Sequence, residues 1–188
     1  MMRITSGLRR GKKLLSLEGN STRPTLERVK QAFFNAIQFE IDGKTVLDLF
    51  SGSGQLGLEA LSRGASFCFF NDSSIDACKI IEKNINACDF AKISQLTCKT
   101  HTECVKIIKN TGRKVSLVFL DPPYGQSLIN DSLSLLCKSD ILDSNAVVVC
   151  ESAEGDQISS VGFTVRREYL YSQIKITILD RSEKVEVR

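Results

Sequence analysis

From residue 45 to residue 150 the chain alternates between two kinds of apolar pattern, and no other feature constrains its fold as tightly. Five short runs rich in β-branched and aromatic residues read as strands, at 45–50, 66–71, 93–98, 115–120 and 146–150. Helical spacing fills the intervals at 55–63, 74–88, 102–110 and 127–138, with Gly64 and Gly112 placed to end two of them. Strands separated by helices need crossover connections, which are right-handed and leave the strands parallel. The expected architecture is a Rossmann-like α/β domain, a mostly parallel sheet with helices on both faces.

The ends of the chain follow different rules. Residues 162–165 and 173–179 read as two strands with no helix between them and 166–172 as their short connection, so an antiparallel pair is expected to close one sheet edge. Residues 2–15 read as an extended hairpin, anchored by Ile4, Leu14 and Leu15 and bent at Gly7 and Gly11. A helix then opens near Pro24 or Thr25, with Leu26, Val29, Phe33, Phe34 and Ile37 on one face. The expected divisions are a basic hairpin and helix at 1–40, a main domain at 41–180 and a charged, frayed tail at 181–188.

Composition narrows the class. A chain of 188 residues that is 42% hydrophobic supports one full core, and a second large domain is not expected. The basic start is not followed by an apolar signal segment, and no apolar run approaches the ~18 residues of a membrane span, so a soluble, cytoplasmic protein is expected. Seven cysteines form no C-x-x-C pair and mostly interrupt apolar runs. They read as buried reduced thiols, and with His101 as the single histidine no metal site is expected. Residues 1–30 hold eight Lys/Arg against Glu18 and Glu27, a charge of +6; as the whole chain carries +3, the remaining 158 residues carry −3. A basic arm on a mildly acidic body points to a polyanion, although a solvated basic surface would have the same composition.

Two turns carry the chemistry. The first strand runs into Asp48-Leu49-Phe50-Ser51-Gly52-Ser53-Gly54-Gln55-Leu56-Gly57, a G-x-G-x-x-G turn before a helix, where absent side chains let a ligand approach the backbone. Dinucleotide and adenosyl sites share this pattern. Asp72, at the end of the next strand, suits two ribose hydroxyls, but it is also placed to cap the helix that follows. Asp48 would repel a pyrophosphate and attract the ammonium and sulfonium of S-adenosylmethionine; the alternative is a strand-end acid bonding loop amides. The second turn is Asp121-Pro122-Pro123-Tyr124, where two prolines force the chain out of the sheet. Its carboxylate and proline carbonyl can accept hydrogen bonds from an exocyclic amine while Tyr124 stacks on the base, work of positioning and electrostatics more than proton abstraction.

With these residues in view the chain resembles the class I S-adenosylmethionine-dependent methyltransferases that modify exocyclic amines through Asp/Asn-Pro-Pro-Tyr/Phe. More closely it resembles the bacterial enzymes that methylate N2 of a guanine in 16S ribosomal RNA. The likeness lies in Arg3-Ile4-x-x-Gly7, Arg10-Gly11, Leu14, Arg23-Pro24-Thr25-x-x-Arg28-Val29-Lys30, the run from Asp48 to Ala60, Asn84, Asp121 to Tyr124 and Glu151-Ser152. It implies a seven-stranded sheet, S-adenosylmethionine as cofactor and a monomer acting on 16S RNA within a small ribosomal subunit or assembly intermediate. It further implies that Asp48, Phe50, Ser51, Gly52, Gly54 and Asp72 hold the cofactor and Asp121, Pro122, Pro123 and Tyr124 the guanine. RNA backbone would fall to Arg3, Arg9, Arg10, Lys12, Lys13, Arg23 and Arg28. One departure stands out: such enzymes commonly have an acid near the adenine amine at the end of the third strand, and Cys98-Lys99-Thr100-His101 has none, which leaves Thr100 or a backbone carbonyl as substitute. The competing readings are a DNA adenine-N6 or cytosine-N4 methyltransferase, an NAD-dependent oxidoreductase and a non-catalytic RNA-binding protein.

Overall fold

The computed structural model describes residues 2–17, 24–123, 127–159 and 161–182, with backbone alone at 24–28. In chain order its elements are α1 (Pro24–Ala36), β1 (Thr45–Asp48), α2 (Gln55–Ser62), β2 (Phe67–Asp72), α3 (Ile75–Ala87), β3 (Ser94–Cys98), α4 (His101–Thr111), β4 (Val115–Leu120), α5 (Leu128–Ser139), β5 (Leu142–Ala153), β6 (Phe163–Tyr171) and β7 (Ile174–Arg181). The strands form one seven-stranded sheet in the order β3-β2-β1-β4-β5-β7-β6. The first five are parallel, and β7 is antiparallel to both β5 and β6.

Burial on both faces explains the unbroken apolar runs. Every residue of β4 is buried, as a central parallel strand requires. One face carries α1, α2 and α3, where Phe33, Phe34 and Phe119 meet with Phe34 and Phe119 centroids 5.5 Å apart. The other face packs α4 and α5 against Leu47, Val118, Leu120 and Val148. Each fully buried phenylalanine contributes about 2–3 kcal/mol of transfer free energy before entropy is counted. The expected face of α1 is found at Val29, Phe33, Phe34 and Ile37; the side chain of Leu26 lies outside the described residues.

Three boundaries need correction. β6 continues through Tyr171, so the expected connection at 166–172 shrinks to Ser172 and Gln173. Its polar Arg166-Arg167-Glu168 run hid the strand, and the reason is position: β6 is the sheet edge and most of its residues face water. β5 is twelve residues long, reaching past the polar 143–145 stretch at one end and to Ala153 at the other. Arg181 ends β7 with its guanidinium on the Leu142 and Asp143 carbonyls, so the expected tail begins too early; 183–188 lie outside the described residues.

The N-terminal segment is a narrow hairpin held by an Arg3–Lys13 bridge, with Ile4 N–H on Lys12 O at 2.9 Å and Leu14 N–H on Met2 O at 3.0 Å. Such a short hairpin is unstable alone, and α2 and α3 supply what it lacks. Glu59 accepts from both the Thr5 amide and the Thr5 hydroxyl at 2.7 Å, Ser62 bonds Ser6 O and Arg9 N, and Arg9 donates to Cys88 O. At the tip, Gly7 has φ +77°, and a Cβ there would lie 1.7 Å from the Ser62 carbonyl oxygen. Only glycine satisfies both the backbone conformation and the contact.

Candidate active site

In this strand order β1 and β4 are neighbours whose following helices leave on opposite faces, which opens a crevice at their carboxyl ends. Asp48 pairs with Phe119, and Leu49 N–H donates to Phe119 O at 3.2 Å. The glycine turn after β1 and Asp121 after β4 therefore leave the sheet side by side. Phe50, within the glycine turn, is half-exposed, its ring 5.9 Å from that of His101.

The glycine turn is bonded internally almost throughout. Ser51 donates to Asp48 O at 2.7 Å, and its own amide is bonded to Asn71 O at 2.8 Å. Gly52 and Gly54 have φ +56° and +80°, and the space beside Gly52 is open where a Cβ would project. The Asp72 carboxylate accepts from Gly52 N–H and Ser74 N–H, both at 2.9 Å, while Ser74, not Asp72, caps α3. Gly57 is a packing residue: a Cβ would come 2.3 Å from the Phe70 ring. Asp48 is only 1% exposed and accepts from Gly57 N–H at 2.9 Å. Burial lifts its pKa to about 7, against the pull of the Gly57 amide and Lys30 and with some help from Asp72.

Asp121 is in a different condition. Among the described residues its carboxylate has no hydrogen-bond donor, although it is half-buried at the crevice mouth. Burial first, and then the charge of Glu151 on β5, push its pKa up to about 7; Lys30 opposes the rise and Asp48 adds to it. Pro122 is buried and Pro123 exposed, whereas Tyr124 lies outside the described residues.

Other candidates are scattered. Thr100 is occupied as the N-cap of α4, exchanging hydrogen bonds with Glu103 in a capping box, and so is not held toward the glycine turn. The hairpin runs along α2 with Met2 and Leu15 near Ser53, at the crevice end, and Gly7 beside Ser62, at the far end. Arg3 and Lys13 are thereby exposed near the crevice, with Lys12 and Arg10 exposed progressively farther away. Arg9, expected among the RNA contacts, instead directs its guanidinium to Cys88 O and Asp89 and lies over Phe90. Arg23 and the Arg28 side chain fall outside the described residues. Among the described residues no group of His, Cys, Asp and Glu could hold a metal, and no helix is long and apolar enough to cross a membrane.

Two residues that sequence reasoning did not assign to the site belong to it. Lys30 donates to Gln55 Oε1 at 3.1 Å and acts electrostatically on both Asp48 and Asp121. Asn84, 1% exposed, gives its amide to Leu15 O and Ser53 O and accepts from Leu15 N–H, tying the arm to the glycine turn. Each interrupts an otherwise apolar helix face, Lys30 beside Phe33 and Phe34, Asn84 between Ile81 and Ile85. A charge or amide on a buried face signals a partner inside.

A seven-stranded sheet with this order, a glycine turn after β1 and an Asp-Pro-Pro turn after β4 define the Rossmann-like class I methyltransferase fold. Residues 2–180 match the family described as "Conserved hypothetical protein 95", and the chain belongs to that family. Its relatives include "Ribosomal RNA small subunit methyltransferase D" of Haemophilus influenzae, 34% identical over 161 residues that cover 80% of this chain and 78% of that one. The protein of the same name from Escherichia coli K12 is 27% identical over 98% of this chain and 92% of its own. Among solved structures, "Putative methyltransferase yhhF from Escherichia coli" superposes with a TM-score of 0.83 at 27% identity, covering 97% of this chain and 99% of that one.

Proposed function

We propose that the protein transfers a methyl group from S-adenosylmethionine to the exocyclic N2 amine of a guanine in 16S ribosomal RNA. The observation that carries the reading is the juxtaposition of the glycine turn with a carboxylate that no described group bonds, Asp121, at the switch point of the sheet. The residues present fit the cofactor: Gly52 borders open space, Asp72 faces the same turn, and no phosphate-attracting lysine or arginine sits within it. Asp48, Ser51, Gly52, Gly54 and Asp72 would hold it, with Phe50 at the rim. When bound, it supplies a methyl carbon made electrophilic by an adjacent sulfonium.

The remaining work belongs to the chain. An exocyclic amine is a poor nucleophile because its lone pair is delocalised into the ring. Asp121 and the Pro122 carbonyl accept its two N–H groups, which turns the lone pair toward the methyl carbon, and Tyr124 stacks on the base. Forming the N–C bond would break the methyl–sulfur bond and release neutral S-adenosylhomocysteine; the nitrogen would become cationic, and its proton would pass to the Asp121 carboxylate, whose raised pKa suits a proton acceptor near neutrality. Arg3, Arg10, Lys12 and Lys13, with Arg23 and Arg28, supply the phosphate contacts. The names of the relatives support ribosomal RNA as substrate, and the N-terminal motifs support the choice of guanine.

The test is nucleoside mass analysis of 16S RNA, free and in small subunits, from a strain lacking the protein and after treatment with purified protein and methyl-labelled cofactor. We expect one guanine to lose its N2 methyl in the deletion strain and regain it in vitro. Label on adenine N6 or cytosine N4, or none at all, would overturn the assignment.

A further inference from the structure

Beyond α1, on the same face of the sheet, the edge strand β6 carries a group of residues that neither the catalytic turn nor the hairpin uses. Arg167, Tyr169 and Tyr171 alternate along the strand and point to one side, where both tyrosines pack partly against the core that contains Phe33 and Phe34. Their rings stack with centroids 6.2 Å apart and planes 20° apart, and the Arg167 guanidinium lies 5.1 Å over Tyr169. Both rings keep part of their surface in water, and Arg167 is exposed.

Two comparisons argue that this arrangement is more than edge packing. The adjacent Arg166 is locked in ion pairs with Glu40 and Asp180, while Arg167 has no carboxylate partner among the described residues. Glu168, the acid closest in sequence, bonds the Thr177 hydroxyl on the other side of the strand. Among the described residues that side therefore offers a guanidinium without a carboxylate partner and two partly exposed aromatic rings. Register then fixes its location: Tyr171 pairs with Ile174, and Ile174 with Ala153, two residues beyond Glu151. The tyrosines thus lie at the crevice end of the sheet, across α1 from Arg3 and Lys13.

We propose that Arg167, Tyr169 and Tyr171 form a stacking platform for an unpaired nucleotide flanking the target guanine. The proposal rests on the RNA reading above. Bases splayed from single-stranded RNA stack on tyrosine and arginine planes, and a guanidinium over a ring also pairs with phosphate. The hairpin and the platform would then grip the strand on opposite sides of the modified base.

The experiment compares wild type with R167A, with the double variants Y169L/Y171L and Y169F/Y171F, and with R3A/K13A. It measures binding of a 16S RNA fragment spanning the mapped guanine, binding of S-adenosylhomocysteine, and methylation of free RNA and of small subunits. Leucine keeps the apolar packing and removes the stacking plane; phenylalanine keeps both. We expect RNA affinity to fall about tenfold in Y169L/Y171L and several-fold in R167A, to recover in Y169F/Y171F, and cofactor-product binding to stay at wild-type level. Unchanged RNA affinity in Y169L/Y171L, with R3A/K13A weakened, overturns the platform alone. A defect confined to small subunits would place a ribosomal protein on the patch and overturn it too. Wild-type protein that binds and methylates no RNA overturns both readings.

Discussion

The two lips of the crevice contain buried or half-buried aspartates that are lifted alike, yet they are built on opposite principles. At Asp48 the carboxylate accepts from Gly57, Ser51 is bonded on both sides, Asp72 bonds Gly52, and Asn84 holds Ser53 from α3. At Asp121 the carboxylate faces Glu151 and Lys30 and has no donor among the described residues. One lip is bonded by its own neighbours; at the other no described donor meets the carboxylate, and in the proposed reaction a substrate amine would bring one. Preorganised amides cost nothing at the moment of binding, whereas an acid held without donors stores free energy that an incoming N–H releases.

The largest expected effect separates the two lips directly. Asp121→Ala should lower the methyl-transfer rate by about 10²-fold or more while S-adenosylhomocysteine binds within about threefold of wild type. Its melting temperature should hold or rise, because a raised acid is removed and no donor is orphaned. Asp48→Ala should do the reverse: it leaves the Gly57 amide unpaired inside the core, costs about 1–3 kcal/mol of stability and weakens cofactor-product binding. Calorimetric melting beside product titration distinguishes them, and equal melting losses for both would erase the contrast.

Proton linkage sharpens it. Both acids rise from 3.8 to about 7, so between those values the folded chain holds protons that the unfolded chain has released. Their contribution to stability therefore falls as pH climbs from about 4 to about 7, and is flat above. Activity should move oppositely, rising through pH 7 as Asp121 ionises and becomes an acceptor. Asp48→Asn should melt progressively higher than wild type as pH rises over that window while retaining the activity limb. A rate profile flat between pH 6 and 8 would remove ionised Asp121 from the reaction.

How much of this was legible follows from where each signal resides. The central parallel strands were written in apolar runs because burial on both faces leaves few polar positions, as in β4, whereas the edge strand β3 is partly exposed and carries Ser94, Gln95 and Thr97. Gly52, Gly54 and Asp121 were legible because glycine permits, and paired prolines forbid, particular backbone conformations locally. β6 beyond Val165 was not, since an exposed edge strand imposes no alternation and Arg166-Arg167-Glu168 resembles a loop. Lys30, Asn84 and the Arg9 contacts were hidden for another reason: their partners are 25, 31 and 79 residues away, and only the assembled fold joins them.

The smallest expected effect concerns the arm, where a similar contrast recurs between arginines. Arg9 is consumed by Cys88 O and Asp89, while Arg3 and Lys13 are exposed at the crevice end. Each phosphate contact that is lost should reduce the slope of log affinity against log salt by about 0.7 for single-stranded RNA. Arg3→Ala with Lys13→Ala should thus reduce the slope by about 1.4 and leave melting unchanged. Arg9→Ala should leave the slope and lower the melting temperature, because the Cys88 carbonyl loses its donor and the hairpin a tether. RNA titrations at several salt concentrations, run beside melting curves, decide the matter. A slope that falls with Arg9 and not with Arg3 and Lys13 would mean that the hairpin meets RNA through the side the structure packs against α3.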